Sequence, residues 1–172
     1  MDISKFGTQY SGDYARPNLF EVNIALIDSA MWVKTASLPA TTVGVVEVPY
    51  QNRKLKVPGD RTFADWTATI INDESYVVRS ALLSWQESIT GFTSMASTMG
   101  VSTAHRKIEI QPLKRDGSND THIVNVYGWP SEVGAIDLSW ETVDAVQEYT
   151  VTFTVSWDDG GVDKEKVDVL AA

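Results

Sequence analysis

Large apolar side chains alternate with small polar ones from Tyr149 to Trp157. Tyr149, Val151, Phe153, Val155 and Trp157 fall on one face, and Thr150, Thr152, Thr154 and Ser156 on the other. That period of two marks a strand with one face buried. The row is the expected centre of the core, each buried side chain contributing about 1.5–3 kcal/mol. The same pattern predicts a strand over Leu19–Ile27, with Phe20, Val22, Ile24 and Leu26 facing one way. A second, Met31–Ser37, is expected to pair with it as a hairpin across Asp28-Ser29. Pro39, which cannot donate to a ladder, separates these from a third strand at Val43–Val48. Further strands are expected at Asp65–Ile71, with Trp66, Ala68 and Ile70 on one face, at His105–Lys114, at Thr121–Tyr127 and, briefly, at Ile136–Trp140. Gly128-Trp129-Pro130-Ser131 reads as the end of the second-last of these.

One stretch changes period. Val78, Ala81, Leu82, Trp85 and Ile89 recur at steps of three and four, which lines them up on one stripe of a helix. Asn72 or Asp73 is suited to cap it, Glu74 adds an anion near its N-terminus, and Gly91 lies where helices often stop. The helix is therefore expected over residues 73–90. It must lie on strands, since no other apolar face is available. The fold class is mainly β (α+β): two antiparallel sheets in a sandwich or partial barrel, with one helix on the flank. Open strand edges in such a domain invite pairing with another chain, and a repeated rotation that closes makes a ring.

Between the third strand and Trp66 lies a cationic arm, residues 49–62. Pro58-Gly59 reads as its turn. Arg53, Lys54, Lys56 and Arg61 place four of the chain's fourteen basic residues within eleven positions, against a net charge of -9. Three roles fit: a subunit contact, a solvated hairpin or a phosphate patch. The first is favoured, because arginine pairs bidentately with carboxylates and acidic copies of the chain would supply them. The acidic balance, with a pI near 4.6, argues against wrapping nucleic acid, which needs a basic footprint. It is compatible with a wall past which DNA slides without sticking.

Other chemistry is thin. Cysteine is absent, so disulfide and thiol chemistry are excluded. No apolar run approaches the roughly 18 residues of a membrane span, and residues 1–13 read as a flexible polar arm rather than a secretory signal. His105 and His122 flank the predicted hairpin loop Asp116-Gly117-Ser118-Asn119-Asp120, so they could be cross-strand neighbours. As a metal pair they lack a third ligand. The loop lacks the spacing of a calcium-binding EF-hand. No nucleophile elbow, P-loop or H-E-x-x-H is present, so neither an enzyme, a metal site nor a cofactor is expected. Residues 91–104, small and hydroxylated, read as a mobile loop, and 158–172 as a charged tail.

Several collinear motifs carry a resemblance. They are Asn52-Arg53-Lys54, Pro58-Gly59-Asp60-Arg61-Thr62-Phe63, Asp65-Trp66-Thr67, Asn72-Asp73-Glu74 and Trp85-Gln86. Flanking matches are Gly12-Asp13, Ala15-Arg16-Pro17-Asn18-Leu19-Phe20, Leu38-Pro39-Ala40 and Trp129-Pro130. On these, residues 14–157 resemble the tail tube proteins of contractile-tailed bacteriophages, a family similar to the tube proteins of type VI secretion. The resemblance implies a homo-hexameric ring that completes a larger β-barrel and stacks into a tube. It further implies a surrounding sheath, baseplate and terminator proteins, a tape-measure protein in the lumen and passage of DNA. Assembly would take place in the host cytoplasm and end in the virion. Asn52, Arg53, Lys54, Lys56, Asp60 and Arg61 would then make contacts between subunits or rings, while Trp66, Trp85, Tyr149, Val151, Phe153, Val155 and Trp157 build the core. The alternatives are the tube of a type VI-like or extracellular contractile injection system carrying protein, and a monomeric β-sandwich binding module.

Overall fold

The longest apolar row does become the centre of the molecule. In the computed structural model, which describes residues 15–159 apart from 26, 28–31, 92–99, 101–103, 119–121 and 142, eight strands and one helix are described. They are β1 (Phe20–Ile24), β2 (Val33–Ala36), β3 (Thr41–Tyr50), β4 (Arg53–Phe63), β5 (Trp66–Ile71), α1 (Val77–Ile89), β6 (Arg106–Pro112), β7 (Val124–Val133) and β8 (Glu148–Asp158). Six strands form one antiparallel sheet in the order β1-β6-β7-β8-β5-β2, and β3 and β4 form a second, two-stranded sheet. β1 and β2, the two edges of the large sheet, approach each other without forming a ladder, so the sheet is nearly closed.

Its inner face is the core. Trp66, Phe153, Ile70, Val151 and Tyr149 come from the paired strands β5 and β8, and Ile108, Ile110, Val124 and Val126 from β6 and β7. The alternation in the sequence puts them there, because directly opposed residues of an antiparallel pair share a face. α1 closes this face. Val78, Leu82 and Trp85 are buried, with Ala81 and Ile89 partly so. The Trp85 and Trp66 rings flank Phe153 at 6.2 and 5.2 Å. Polar anchors fix the helix along its length: Arg79 donates to the Gly134 carbonyl at 2.8 Å and Gln86 to that of Pro130 at 3.1 Å. The indole N–H groups of Trp66 and Trp85 donate to the carbonyls of Ser37 and Ala104.

The helix starts at Val77 rather than at residue 73. Tyr76 is left-handed, with φ 54°, and cannot be a helical residue. Asp73 still caps the end from outside, accepting the Val77 N–H at 3.1 Å. Its carboxyl is held below the usual range, chiefly by the Ser75 hydroxyl and then by backbone N–H groups.

Four expectations fail for physical reasons. β1 and β2 do not form a hairpin: β1 pairs with β6 and β2 with β5, since near-closure of the sheet rewards non-local partners. β1 ends at Ile24 instead of running on to residue 27, and Ile27 is buried in the core beyond it; Leu26 lies outside the described residues. β7 runs through Gly128-Trp129-Pro130 instead of ending there, absorbing Pro130 beside a register shift. A Cβ at Gly128 would lie 2.2 Å from the Thr154 carbonyl oxygen, so glycine alone lets the two strands close. Residues 136–140 form no strand.

The core list needs one correction. Trp66, Trp85, Tyr149, Val151, Phe153 and Val155 are buried, but Trp157 is 44% exposed. β8 carries a bulge there: Gly128 pairs with Val155 and Tyr127 with Trp157, leaving Ser156 as an extra residue. A single inserted residue inverts the alternation. Trp157 is thereby turned to the outer face, against Tyr127 and His105.

The expected arm 1–13, nearly all of the 91–104 loop and the tail beyond residue 159 lie outside the described residues.

Candidate assembly surfaces

The arm is a ribbon, and its turn is at its tip. β3 and β4 pair from Thr41 with Phe63 out to Tyr50 with Arg53. The two residues between them, Gln51 and Asn52, have φ 40° and 68°, as a type I′ hairpin turn requires. Pro58-Gly59, expected as the turn, lies inside β4. It belongs to a bulge in which Gly59 and Asp60 face Gly44 alone. The backbones come close at this point, since a Cβ on Gly59 would stand 3.2 Å from Gly44.

Register sorts the distal ribbon into two faces. Tyr50 with Arg53, Val48 with Leu55 and Val46 with Val57 form one; Pro49 with Lys54, Glu47 with Lys56 and Val45 with Pro58 form the other. The first is apolar up to its tip. The second is mostly polar, with Lys54 and Glu47 joined at 2.7 Å, an exposed pair worth little by itself. Tyr50 is 68% exposed and Leu55 63%. No other element among the described residues covers this apolar face. A lone two-stranded hairpin is marginal in water, and an apolar patch of this kind marks an interaction site. Both outer edges of the ribbon also carry unpaired backbone groups, the feature that invites a further strand.

The sequence-derived contact residues divide along this ribbon. Asn52, Arg53, Lys54 and Lys56 cluster at the tip, Arg53 on the apolar face and the two lysines opposite. Asp60 lies in the bulge and Arg61 just beyond it, near the base. Eight residue steps along β4 separate Arg53 from Arg61, roughly 26 Å, so the six do not form one site. Sequence reasoning missed the apolar partners Val46, Val48, Tyr50, Leu55 and Val57. Their alternation with charged residues through Val43–Val57 was the available signal.

A second exposed stretch was read wrongly as a strand. Between β7 and β8, Leu138, Trp140, Val143 and Val146 stand largely in water, Trp140 fully so.

The outer face of the large sheet is polar around an aromatic cluster. His105 meets Trp129 edge-on at 4.8 Å and bonds the Ser156 hydroxyl at 2.7 Å. Lys107 and Glu109 pair at 2.5 Å, which raises the lysine pKa. The two histidines are not neighbours. Arg106 pairs with Gly128 and Ile110 with Val124, so His105 lies at the Trp129 end and exposed His122 beyond the other. Asp116 folds back on its own turn: its Oδ1 accepts from both the N–H and the hydroxyl of Ser118. Asn119 and Asp120 lie outside the described residues. Among the described residues, no group of three or more His, Asp or Glu side chains is placed to hold a metal ion.

Comparison with known proteins gives this geometry a context. The chain is 36% identical over 151 residues to the tail tube protein gp19 of Enterobacteria phage T4, covering 86% of this chain and 92% of that one. It is 26% identical over 124 residues to the tail tube protein of Serratia phage KSP90, covering 72% and 70%. The fold is similar to a chain of the anti-feeding prophage tube-terminating cap, with a TM-score of 0.65, 15% identity and coverage of 87% and 92%. It is also similar to a chain of the sheath-tube complex of an extracellular contractile injection system, with a TM-score of 0.60, 17% identity and coverage of 90% and 95%. At these identities the solved structures speak for the fold alone. The family model described as phage tail tube protein matches residues 15–157, a span that takes in the ribbon, the helix and all but the last residue of the strands, and the chain belongs to that family.

Proposed function

We propose that this protein is the wall segment of a contractile phage tail tube, in which six copies close a ring and rings stack into a conduit. One observation carries the reading: an amphipathic ribbon, β3–β4, whose apolar face and both edges lack any cover among the described residues, in a chain of the tail tube family. The ribbon is satisfied when a neighbouring copy covers it. A contact between two different patches of one surface repeats from copy to copy, closing into rings or extending along an axis. The large sheet, almost closed on itself, serves as the rigid body from which the ribbon reaches.

In this reading the tube lies inside a contractile sheath, ends on a baseplate and a terminator, holds a tape-measure protein and conducts DNA into the host. The work is mechanical and electrostatic, with no bond chemistry. An acidic or neutral lumen follows from the net charge of -9, because a negative wall repels phosphate and lets DNA pass. The tube of a contractile injection system shares the fold, but the greater sequence identity to phage tail tube proteins favours the phage.

Purified protein imaged by negative-stain microscopy tests this. Stacked rings of uniform width are expected, with six-fold end views. A particle population of single subunits at all concentrations contradicts it.

A further inference from the structure

We infer that the apolar face of the ribbon docks on the segment between β7 and β8 of another copy, with Trp140 as its anchor. The inference rests on the reading of the ribbon as a subunit contact and names the surface that receives it.

The two surfaces are complementary twice over. The ribbon offers a row of aliphatic side chains ending in Tyr50. The receiving stretch offers Leu138, Trp140, Val143 and Val146, exposed by 64% or more. Fully exposed tryptophan is rare in a lone domain, while buried tryptophan is among the strongest anchors of protein interfaces.

Charge points the same way. Residues 135–148 contain four carboxylates, Asp137, Glu141, Asp144 and Glu148, and no Lys or Arg. Of these, Glu148 pairs with Lys34; the other three form no ion pair among the described residues. The ribbon carries Arg53, Lys54, Lys56 and Arg61 against Glu47 and Asp60, and Lys54 already holds Glu47. Arg53 shares the apolar face while Lys54 and Lys56 stand on the other, so laying that face on the acidic segment brings the Arg53 guanidinium to its carboxylates at the edge of an apolar centre, which sets register and suppresses wrong partners. The ribbon stands away from its own body, so the occupant is a second copy rather than the same chain.

The test uses full-length protein. Trp140→p-benzoylphenylalanine keeps an aromatic anchor and allows photocrosslinking. Co-assembled with excess wild type, it is expected to give a dimer band whose joined peptide, by mass spectrometry, falls within residues 43–57. A crosslink to any other region overturns the inference. Charge reversal separates this from the underlying reading. Arg53→Glu, and Glu141→Lys with Asp144→Lys, should each reduce tube yield at least tenfold while circular dichroism is unchanged. Combining all three should restore tubes. If only the ribbon variant fails to assemble, the docking site is wrong and the ribbon reading stands. Normal tubes from both variants overturn both.

Discussion

The rings of Tyr127 and Trp157 stack 5.1 Å apart, with their planes 16° from parallel, on the face of the large sheet away from the core. Their pairing depends on the bulge at Ser156, which turns Trp157 out of the row that Tyr149, Val151, Phe153 and Val155 keep. Two aromatic residues four apart in one strand therefore differ in cost. Phe153→Ala should destabilise by about 3–5 kcal/mol, the loss for a buried aromatic. Trp157→Ala should cost only about 0.5–1.5 kcal/mol, the scale of an aromatic pair. Urea unfolding of unassembled protein checks this, and equal losses would show that both lie in the core.

The alternation through 149–155 and the helical stripe from Val78 to Ile89 were legible because each is a local pattern read out by one buried face. The bulge was not, since a one-residue insertion leaves no mark in composition. The β1–β6 and β2–β5 pairings were not legible either: they are set by closure of the whole sheet, which no short window contains. The ribbon was half legible. Its basic residues stood out, but Pro58-Gly59 drew the turn away from Gln51-Asn52, where only the tolerance of Asn for positive φ marked the place.

Tyr149 predicts an alkaline limb. Burial pushes its phenol up to about 12, against the smaller opposing pull of the Arg79 guanidinium, which lies 5.0 Å from the ring centre. A raised folded pKa means stability is complete below the unfolded value of about 10 and is lost as pH rises towards 12. The hydroxyl is buried without a hydrogen-bond partner among the described residues. Tyr149→Phe should therefore be neutral or stabilising at pH 7 and should flatten the loss between pH 10 and 12. A clear drop in Tm at pH 7 would contradict this.

Asp73 predicts the opposite limb. Its folded pKa lies below the ordinary carboxyl value of 3.8, so its contribution is present above that pH and lost as pH falls through the folded value. Asp73→Asn should lower Tm at pH 7 and converge with wild type near pH 2. A constant difference across that range would mean that charge plays no part.

The ribbon separates apolar from ionic contributions to assembly. Burying a leucine contributes about 1.5–3 kcal/mol, while an exposed ion pair contributes about 0.2–1. Leu55→Ser should raise the critical concentration for tubes more than Lys54→Ser. Light scattering against concentration orders the two, and the reverse order would place the energy in the charges. The double reversal Arg53→Glu with Arg61→Glu should leave the fold intact and prevent polymerisation; tubes of normal length would contradict that.

The central claim is that the β3–β4 ribbon is completed only by another copy of the chain. Backbone hydrogen exchange of residues 43–57, measured on subunits and on assembled tubes, tests it most directly. The account predicts fast exchange at the unpaired edges in the subunit and strong protection in the tube. Equal exchange in both states, with tubes present, would place the join between copies elsewhere.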